Sequence, residues 1–299
     1  MKKPNFIIAG FPKCGTTSLY HYLNEHPDIY MPAQKELHFF TFNILSKLKN
    51  GPNDSTVKET QIDNFEKYLS FYKNVRNEVA IGDASPSYIN YPSQFIKIKE
   101  YLDDPKIIII LRDPINRAYS NYLHLKRERR ESLTFKEAIF KEDERKTNKY
   151  SDLWYYKFNS TYYDKIIKAK ETFSDVLILT SEDFSKNGQA TLKSVYKFLE
   201  VDDTFQLKRN FKNFNQGGHY KENLLTKIIF QPSTLKNKIK KFIKPTPLLK
   251  IIIHKIANTF SKKPKKINDE LLKYLKKYFK KEVEKLETLN IDTSKWRDY

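Results

Sequence analysis

Ile107, Ile108, Ile109 and Ile110 stand in an unbroken run that continues into Leu111. A strand with one wet face alternates apolar and polar side chains, so a run without alternation belongs to a strand buried on both faces. Such strands occur in parallel sheets, where crossover segments lay helices over each face. The rest of the chain fits that demand. Short β-like runs at residues 5–10, 78–82 and 176–179 are interleaved with helical patterns at 16–25, 92–102, 114–125, 135–145, 162–173, 190–199 and 269–289. Residues 176–179 are expected to form a second buried strand. Pro27 after His26 closes the first helical pattern, and Pro114 opens a later one at the first helical position, where its missing N–H costs nothing. The fold class is therefore α/β. At 299 residues, with no Gly/Ser-rich or Pro-rich linker in the first 220, the chain reads as one domain.

The first strand-like run leads into Gly10-Phe11-Pro12-Lys13-Cys14-Gly15-Thr16-Thr17-Ser18-Leu19 and then into a helix. Strand, glycine-bounded turn and helix is an anion-binding arrangement, because the first N–H groups of a helix have no partner within it. Gly10 and Gly15 have the G-x4-G spacing of a nucleotide P-loop. The residue after the second glycine, where a P-loop carries lysine, is Thr16. The lysine sits inside the loop, at Lys13. Gly15 allows close approach of an anion, while the N–H and hydroxyl groups of Thr16, Thr17 and Ser18 supply donors and Lys13 supplies charge. A shifted lysine suits a ligand with fewer phosphates than ATP and no obligatory metal. The sheet is accordingly P-loop-like, flanked by helices on both faces, with a basic helical C-terminal elaboration.

Charge is unevenly distributed. The formal net charge is +19; residues 221–299 hold 21 Lys/Arg and 8 Asp/Glu, or +13 of it. Residues 226–266 carry twelve lysines and no acid. That surface would attract polyanions, an anionic membrane surface among them. Pro232, Pro245 and Pro247 spoil a continuous amphipathic helix there, which favours an insertion or cap packed on the domain. Codon bias towards Lys, Asn and Ile is the simpler origin of the charge, and no specific nucleic-acid signature accompanies it. A single cysteine, Cys14, makes no intrachain disulfide, and no stretch reaches membrane-span length. A cytoplasmic protein is expected, peripheral at the inner membrane face if residues 226–266 meet lipid. The six histidines show no ligand spacing, so no metal is expected.

Pro12 to Leu19 resembles the 5′-phosphosulfate loop of the sulfotransferase family. That family's second motif, which binds a 3′-phosphate, is a buried strand ending in Arg with Ser eight residues later. Here it is matched by Arg112 and Ser120. Gln34-Lys35-Glu36-Leu37-His38-Phe39-Phe40 resembles the Glu-x-His-Phe-Phe segment of the carbohydrate branch, which includes heparan sulfate enzymes and bacterial relatives. Gly82-Asp83-Ala84-Ser85-Pro86-Ser87-Tyr88 resembles that branch's Glu-Lys-Thr/Ser-Pro-x-Tyr segment, with Asp83 for Glu and Ala84 for Lys. Leu286 to Trp296 is similar to the tail of bacterial members. No counterpart of the family's late adenine-side loop can be aligned over residues 210–266; Gly217-Gly218 is the candidate remnant.

The resemblance implies transfer of a sulfuryl group from 3′-phosphoadenosine 5′-phosphosulfate (PAPS) to a hydroxyl or amine of a glycan, glycolipid or small-molecule acceptor. It implies Lys13, Gly15, Thr16, Thr17, Ser18, Arg112 and Ser120 as donor-binding residues, Lys13 at the leaving oxygen, and Glu36 as general base with His38 in reserve. His38 reads first as a structural residue between Leu37 and Phe39, and Lys35 reads either as a contact to donor sulfate or acidic acceptor or as a solvated surface lysine. Ser120 is expected on one helix face with Arg117, Asn121 and His124. Two rivals predict different ligands: a P-loop small-molecule kinase requires Mg-ATP, and a non-enzymatic polyanion or membrane-surface binder requires neither nucleotide.

Overall fold

The computed structural model describes residues 2–57, 61–207, 219–220, 261–262 and 264–299. Five strands form the main sheet: β1 (Phe6–Gly10), β2 (Ile29–Tyr30), β3 (Ala80–Asp83), β4 (Lys106–Leu111) and β5 (Val176–Thr180), in the order β2-β3-β1-β4-β5 and parallel throughout. The isoleucine run is β4, next to the central β1, with Ile107 against Ile7 on one side and Val176 on the other. All four of its isoleucines are buried, as every residue of β1 is. β5 departs from expectation. It is an edge strand among the described residues, with no described strand on its outer side, and Val176, Leu177 and Ile178 are only half-buried.

Helices lie over both faces of the sheet. Those at Thr16–Leu23, Phe95–Tyr101, Pro114–Arg127, Tyr163–Thr172, Gly188–Phe198 and Asp269–Glu287 match the periodic segments of the sequence to within a few residues. The pattern at 135–145 is two helices, Phe135–Phe140 and Glu142–Thr147, broken at Lys141. Thr134 and Glu137 form a reciprocal capping box that opens the first of them. One apolar cluster surrounds the sheet; a second lies among the Pro114–Arg127, Phe135–Phe140 and Asp269–Glu287 helices. Leu271, Leu275, Phe279, Val283 and Leu286 place one stripe of the Asp269–Glu287 helix in these cores. Of the basic segment 226–266, residues 226–260 and 263 lie outside the described residues, as does Gly217-Gly218. No described helix is long and apolar enough to cross a membrane.

Chain order reverses around β1: the chain leaves it for β2 and β3 on one side and returns to β4 on the other. In open α/β sheets, ligands bind beyond the carboxyl ends of strands at such a switch point.

Candidate active site

A cavity of about 910 Å³ opens at that position, and residues following each of the five strands line it. After β1 come Pro12, Lys13 and the Gly15–Ser18 turn; after β2, Glu36 and His38; after β3, Pro86 and Ser87; after β4, Arg112 and Ser120; after β5, Ser181, Glu182, Ser185 and Lys186. Every residue expected to bind the donor or act in chemistry thus faces one space. Lys35 does not line it; its ammonium lies 2.5 Å from Glu36 Oε1.

The loop owes its shape to two residues in the left-handed region, Lys13 (φ 70°) and Gly15 (φ 107°). Gly15 pays no steric cost there, whereas Lys13 carries a Cβ and is held by its surroundings. Those surroundings are cationic. Arg112 donates to the Lys13 carbonyl at 3.3 Å. Arg117, wholly buried, donates to the Pro12 carbonyl (3.4 Å), Ser160 Oγ (2.7 Å), the Tyr156 carbonyl (3.2 Å) and Asn121 Oδ1 (3.4 Å). Its partners are all neutral, so a full positive charge sits under the loop. Burial, reinforced by Arg127, depresses the Lys13 ammonium to about 8. Burial pushes the Cys14 thiol up to about 12, which leaves it a packing residue rather than a nucleophile.

Glu36 (φ 64°) and His38 (φ 53°) are also left-handed. Non-glycine residues in this region cluster where structure over-determines them, and three of the chain's cases meet in this cavity. The Glu36 N–H donates to the Ala84 carbonyl and the His38 N–H to Ser85 Oγ, which ties this turn to the segment after β3. His38 Nδ1 lies 2.7 Å from Ser87 Oγ, itself 2.8 Å from Thr41 Oγ1. His38 Nε2 then faces Glu36 Oε2 at 3.7 Å. Burial alone would raise the Glu36 carboxyl; Lys35 and His38 outweigh it and hold Glu36 well below the usual carboxylate range. Asp83 is wholly buried behind this turn. It accepts hydrogen bonds from Tyr68, Tyr88 and Ser85, and burial raises its pKa.

The Pro114–Arg127 helix is a wall of the cavity. Ser120, Leu123, His124 and Arg127, with Glu128 just beyond, recur at helical spacing and face it, while Arg117 and Asn121 turn inward. The expected shared face is therefore split: Ser120 and His124 belong to the cavity, Arg117 and Asn121 to its support. Burial, with Lys13, Arg127 and Arg130 around it, pushes His124 well below the ordinary imidazole range. Arg127, Glu128, Arg130, Glu182, Lys186 and Lys295 line the cavity without having been singled out from sequence. Arg127 and Glu128 were accessible to the same i+7 and i+8 reasoning that reached His124. Lys295 is brought in by the segment that resembles bacterial tails. There Trp296 Nε1 donates to Glu182 (3.0 Å), the Arg297 guanidinium to Asp113 (3.1 Å), and Lys295 pairs with Asp183.

The groups at the β1 and β4 ends, namely helix N-terminal N–H groups, hydroxyls, Lys13 and Arg112, suit a ligand that carries more than one anionic group. Among the described residues, no group of three or more His, Cys, Asp or Glu could hold a metal ion.

Comparison with known proteins follows the same lines. A family model described as "Sulfotransferase family" matches residues 4–205. The crystal structure of a sulfotransferase from Alicyclobacillus acidocaldarius superposes with a TM-score of 0.68 at 32% identity, covering 85% of this chain and 97% of that one. Membrane-associated sulfotransferase kil1 of Dictyostelium discoideum is 36% identical over 119 residues, 40% of this chain and 22% of its own. Carbohydrate sulfotransferase 15 of Mus musculus is 27% identical over 252 residues, 66% of this chain and 44% of its own. The chain spans less than half the length of these curated relatives.

Proposed function

This chain belongs to the sulfotransferase family, and from that premise we propose that it moves the sulfuryl group of PAPS onto a hydroxyl or amine of a glycan, glycolipid or small-molecule acceptor. One observation carries the reading: a single cavity joins the Lys13 loop, Arg112 and Ser120 to Glu36 and His38. The likeness to a carbohydrate sulfotransferase supports a glycan among these acceptors.

In this reading the acceptor oxygen loses its proton as it forms the new bond to sulfur. The bond from sulfur to the bridging phosphate oxygen breaks, and its electron pair stays on adenosine 3′,5′-bisphosphate. Transfer of this kind is achieved by positioning and by charge placed where charge develops. Lys13 serves the bridging oxygen and the N–H groups of Thr16, Thr17 and Ser18 the 5′-phosphate, while Arg112 and Ser120 hold the 3′-phosphate. Glu36 is ionised across the working range and accepts the proton. While paired with Lys35 it is a weak base, so a productive acceptor must draw Lys35 away. His38, ordered by Ser87, is the alternative.

Incubation with labelled PAPS and a panel of glycans, read by mass spectrometry of products, tests the reaction. Glu36→Gln should keep donor affinity and lose about 10²–10⁴ in rate. His38→Ala is the matched control; a collapse there with Glu36→Gln mild would make His38 the base. A thermal shift with Mg-ATP but none with adenosine bisphosphate would replace the whole reading with a kinase.

A further inference from the structure

Two polar groups that line the cavity are left idle by the reaction as described: Arg127, at the C-terminal end of the Pro114–Arg127 helix, and Gln61, whose neighbour Ile62 donates to the Leu37 carbonyl. Seven residues separate Ser120 from Arg127, so at 1.5 Å per residue the helix wall runs roughly 10 Å from the donor end to Arg127. A cavity of about 910 Å³ lies near the upper end of the range that holds one drug-sized ligand, which leaves room for an acceptor beside a nucleotide.

The charges at this end are mostly answered. Arg130, with its side chain buried, pairs with Asp54 and with Glu128 at 3.2 Å. Glu128 also faces His124 Nε2 at 3.5 Å. Glu36 is answered by Lys35. Asp152 is buried, accepts a hydrogen bond from Tyr91 and is displaced towards its neutral form. Arg127 differs. Its guanidinium donates to His124 Nδ1 at 3.2 Å and makes no ion pair among the described residues. A half-buried guanidinium with free donors suits a planar, bidentate anion. The second group is Gln61. Its Oε1 is buried and finds no hydrogen-bond partner among the described residues, although Gln61 lines the cavity. A buried acceptor without a donor is costly, and a ligand hydroxyl would satisfy it. Leu45, Leu123 and Leu153 add apolar wall to the same cavity.

We propose that Arg127 and Gln61 form an acceptor subsite for a hydroxylated, carboxylate-bearing molecule of the uronic-acid type, with Arg127 taking the carboxylate and Gln61 a hydroxyl. The inference rests on the sulfotransferase reading of the cavity and assigns the acceptor class within it. Arg127 acts on binding of the acceptor, while Lys13 acts on the leaving group.

The test uses the full chain saturated with adenosine 3′,5′-bisphosphate and titrated by calorimetry with 4-nitrophenyl β-glucuronide and 4-nitrophenyl β-glucoside, which differ by one carboxylate. The glucuronide should bind about 10- to 150-fold more tightly, as expected of one charge-assisted contact. Arg127→Gln should bring the two sugars to within about twofold of each other, at whatever bisphosphate affinity the loss of a charge near Lys13 leaves, because both sugars are compared on the same saturated protein. Gln61→Leu should weaken both sugars together. Equal affinities in the unaltered protein, a glucuronide preference that survives Arg127→Gln, sugar affinities untouched by Gln61→Leu, or no binding of either sugar would overturn the subsite. Failure to bind the bisphosphate itself would instead strike the sulfotransferase reading.

Discussion

At the residue scale, the site depends on a lysine that must stay charged in a crowd of cations. In the proposed reaction Lys13 stabilises the leaving oxygen only as an ammonium, and burial and Arg127 bring its titration to about 8. The protonated, active form is full below that pH and is lost above it. The alkaline limb of kcat/KM, which reports the free protein, should therefore fall near pH 8, and that of kcat should lie higher because a bound phosphosulfate favours the ammonium. Lys13→Ala should lose about 10²–10³ in kcat, as for a removed oxyanion donor. A variant within a few-fold of the original at pH 7, or one that keeps the limb near 8, would remove Lys13 from the chemistry. Arg112 is remote from the developing charge. Arg112→Ala should weaken adenosine bisphosphate binding roughly 10- to 150-fold by calorimetry. Because Arg112 also braces the Lys13 carbonyl, a smaller loss of kcat should accompany it. Normal bisphosphate affinity would mean that Arg112 serves the loop alone.

At the scale of elements, four of the five strands and the phosphate loop were legible in sequence because each is a strong local signal, whereas the two-residue β2 is too short to leave one. The isoleucine run, the glycine spacing and Pro114 all act within a few residues. Elements shorter than two helical turns show no period, so Phe42–Leu45, Phe65–Ser70 and Ser181–Lys186 could not be read, although the last carries Ser181, Glu182 and Ser185 into the cavity. The break at Lys141 involves neither Gly nor Pro and leaves no trace in composition. The edge position of β5 among the described strands is a matter of sheet order, which no single strand encodes. The Lys13 loop, Arg112, Ser120 and Glu36 were visible as motifs; Arg127 and Gln61 matter only because of what surrounds them. A further element-scale requirement is Gly10, where β1 passes into the loop. A Cβ there would lie 2.1 Å from Ile89 Cγ2, on the turn Tyr88–Asn90 after β3. Gly10→Ala should therefore push that turn off the sheet and cost about 1–3 kcal/mol in urea unfolding, the usual range for overpacking. A loss under about 0.5 kcal/mol would show that the turn yields freely and does not seat the loop.

At the scale of the molecule, the cavity wall proposed to meet the acceptor is built by residues far apart in sequence that converge on one buried carboxylate. Asp54 accepts from the Gly51 N–H (2.8 Å), the Ser151 N–H (2.7 Å) and hydroxyl (2.6 Å), and Trp154 Nε1 (3.0 Å), and it pairs with Arg130. Both side chains of the pair are fully buried, and the Arg130 guanidinium also stacks towards the Trp154 ring. A buried pair of this kind contributes little against a well-packed apolar replacement, because desolvation offsets the attraction, yet losing one partner leaves a naked charge in the interior. The arrangement thus predicts an asymmetry. Asp54→Ala should cost about 3–5 kcal/mol in chemical denaturation, since it leaves Arg130 with Glu128 alone as counter-charge and takes the acceptor from four other donors. Asp54→Ala combined with Arg130→Met should lose clearly less than the sum of the two single changes, because the cation is then gone. Strict additivity would mean that the two groups do not sense each other, and the clamp would then be the hydrogen bonds to Ser151 and Trp154 alone. The same clamp joins residues 51–54 to 130 and 151–154, and Arg127, Leu123 and Leu153 line the cavity beside it. A stability loss confined to this pair should therefore weaken acceptor-side binding before it touches adenosine bisphosphate affinity, whose proposed contacts are the loop after β1 and Arg112.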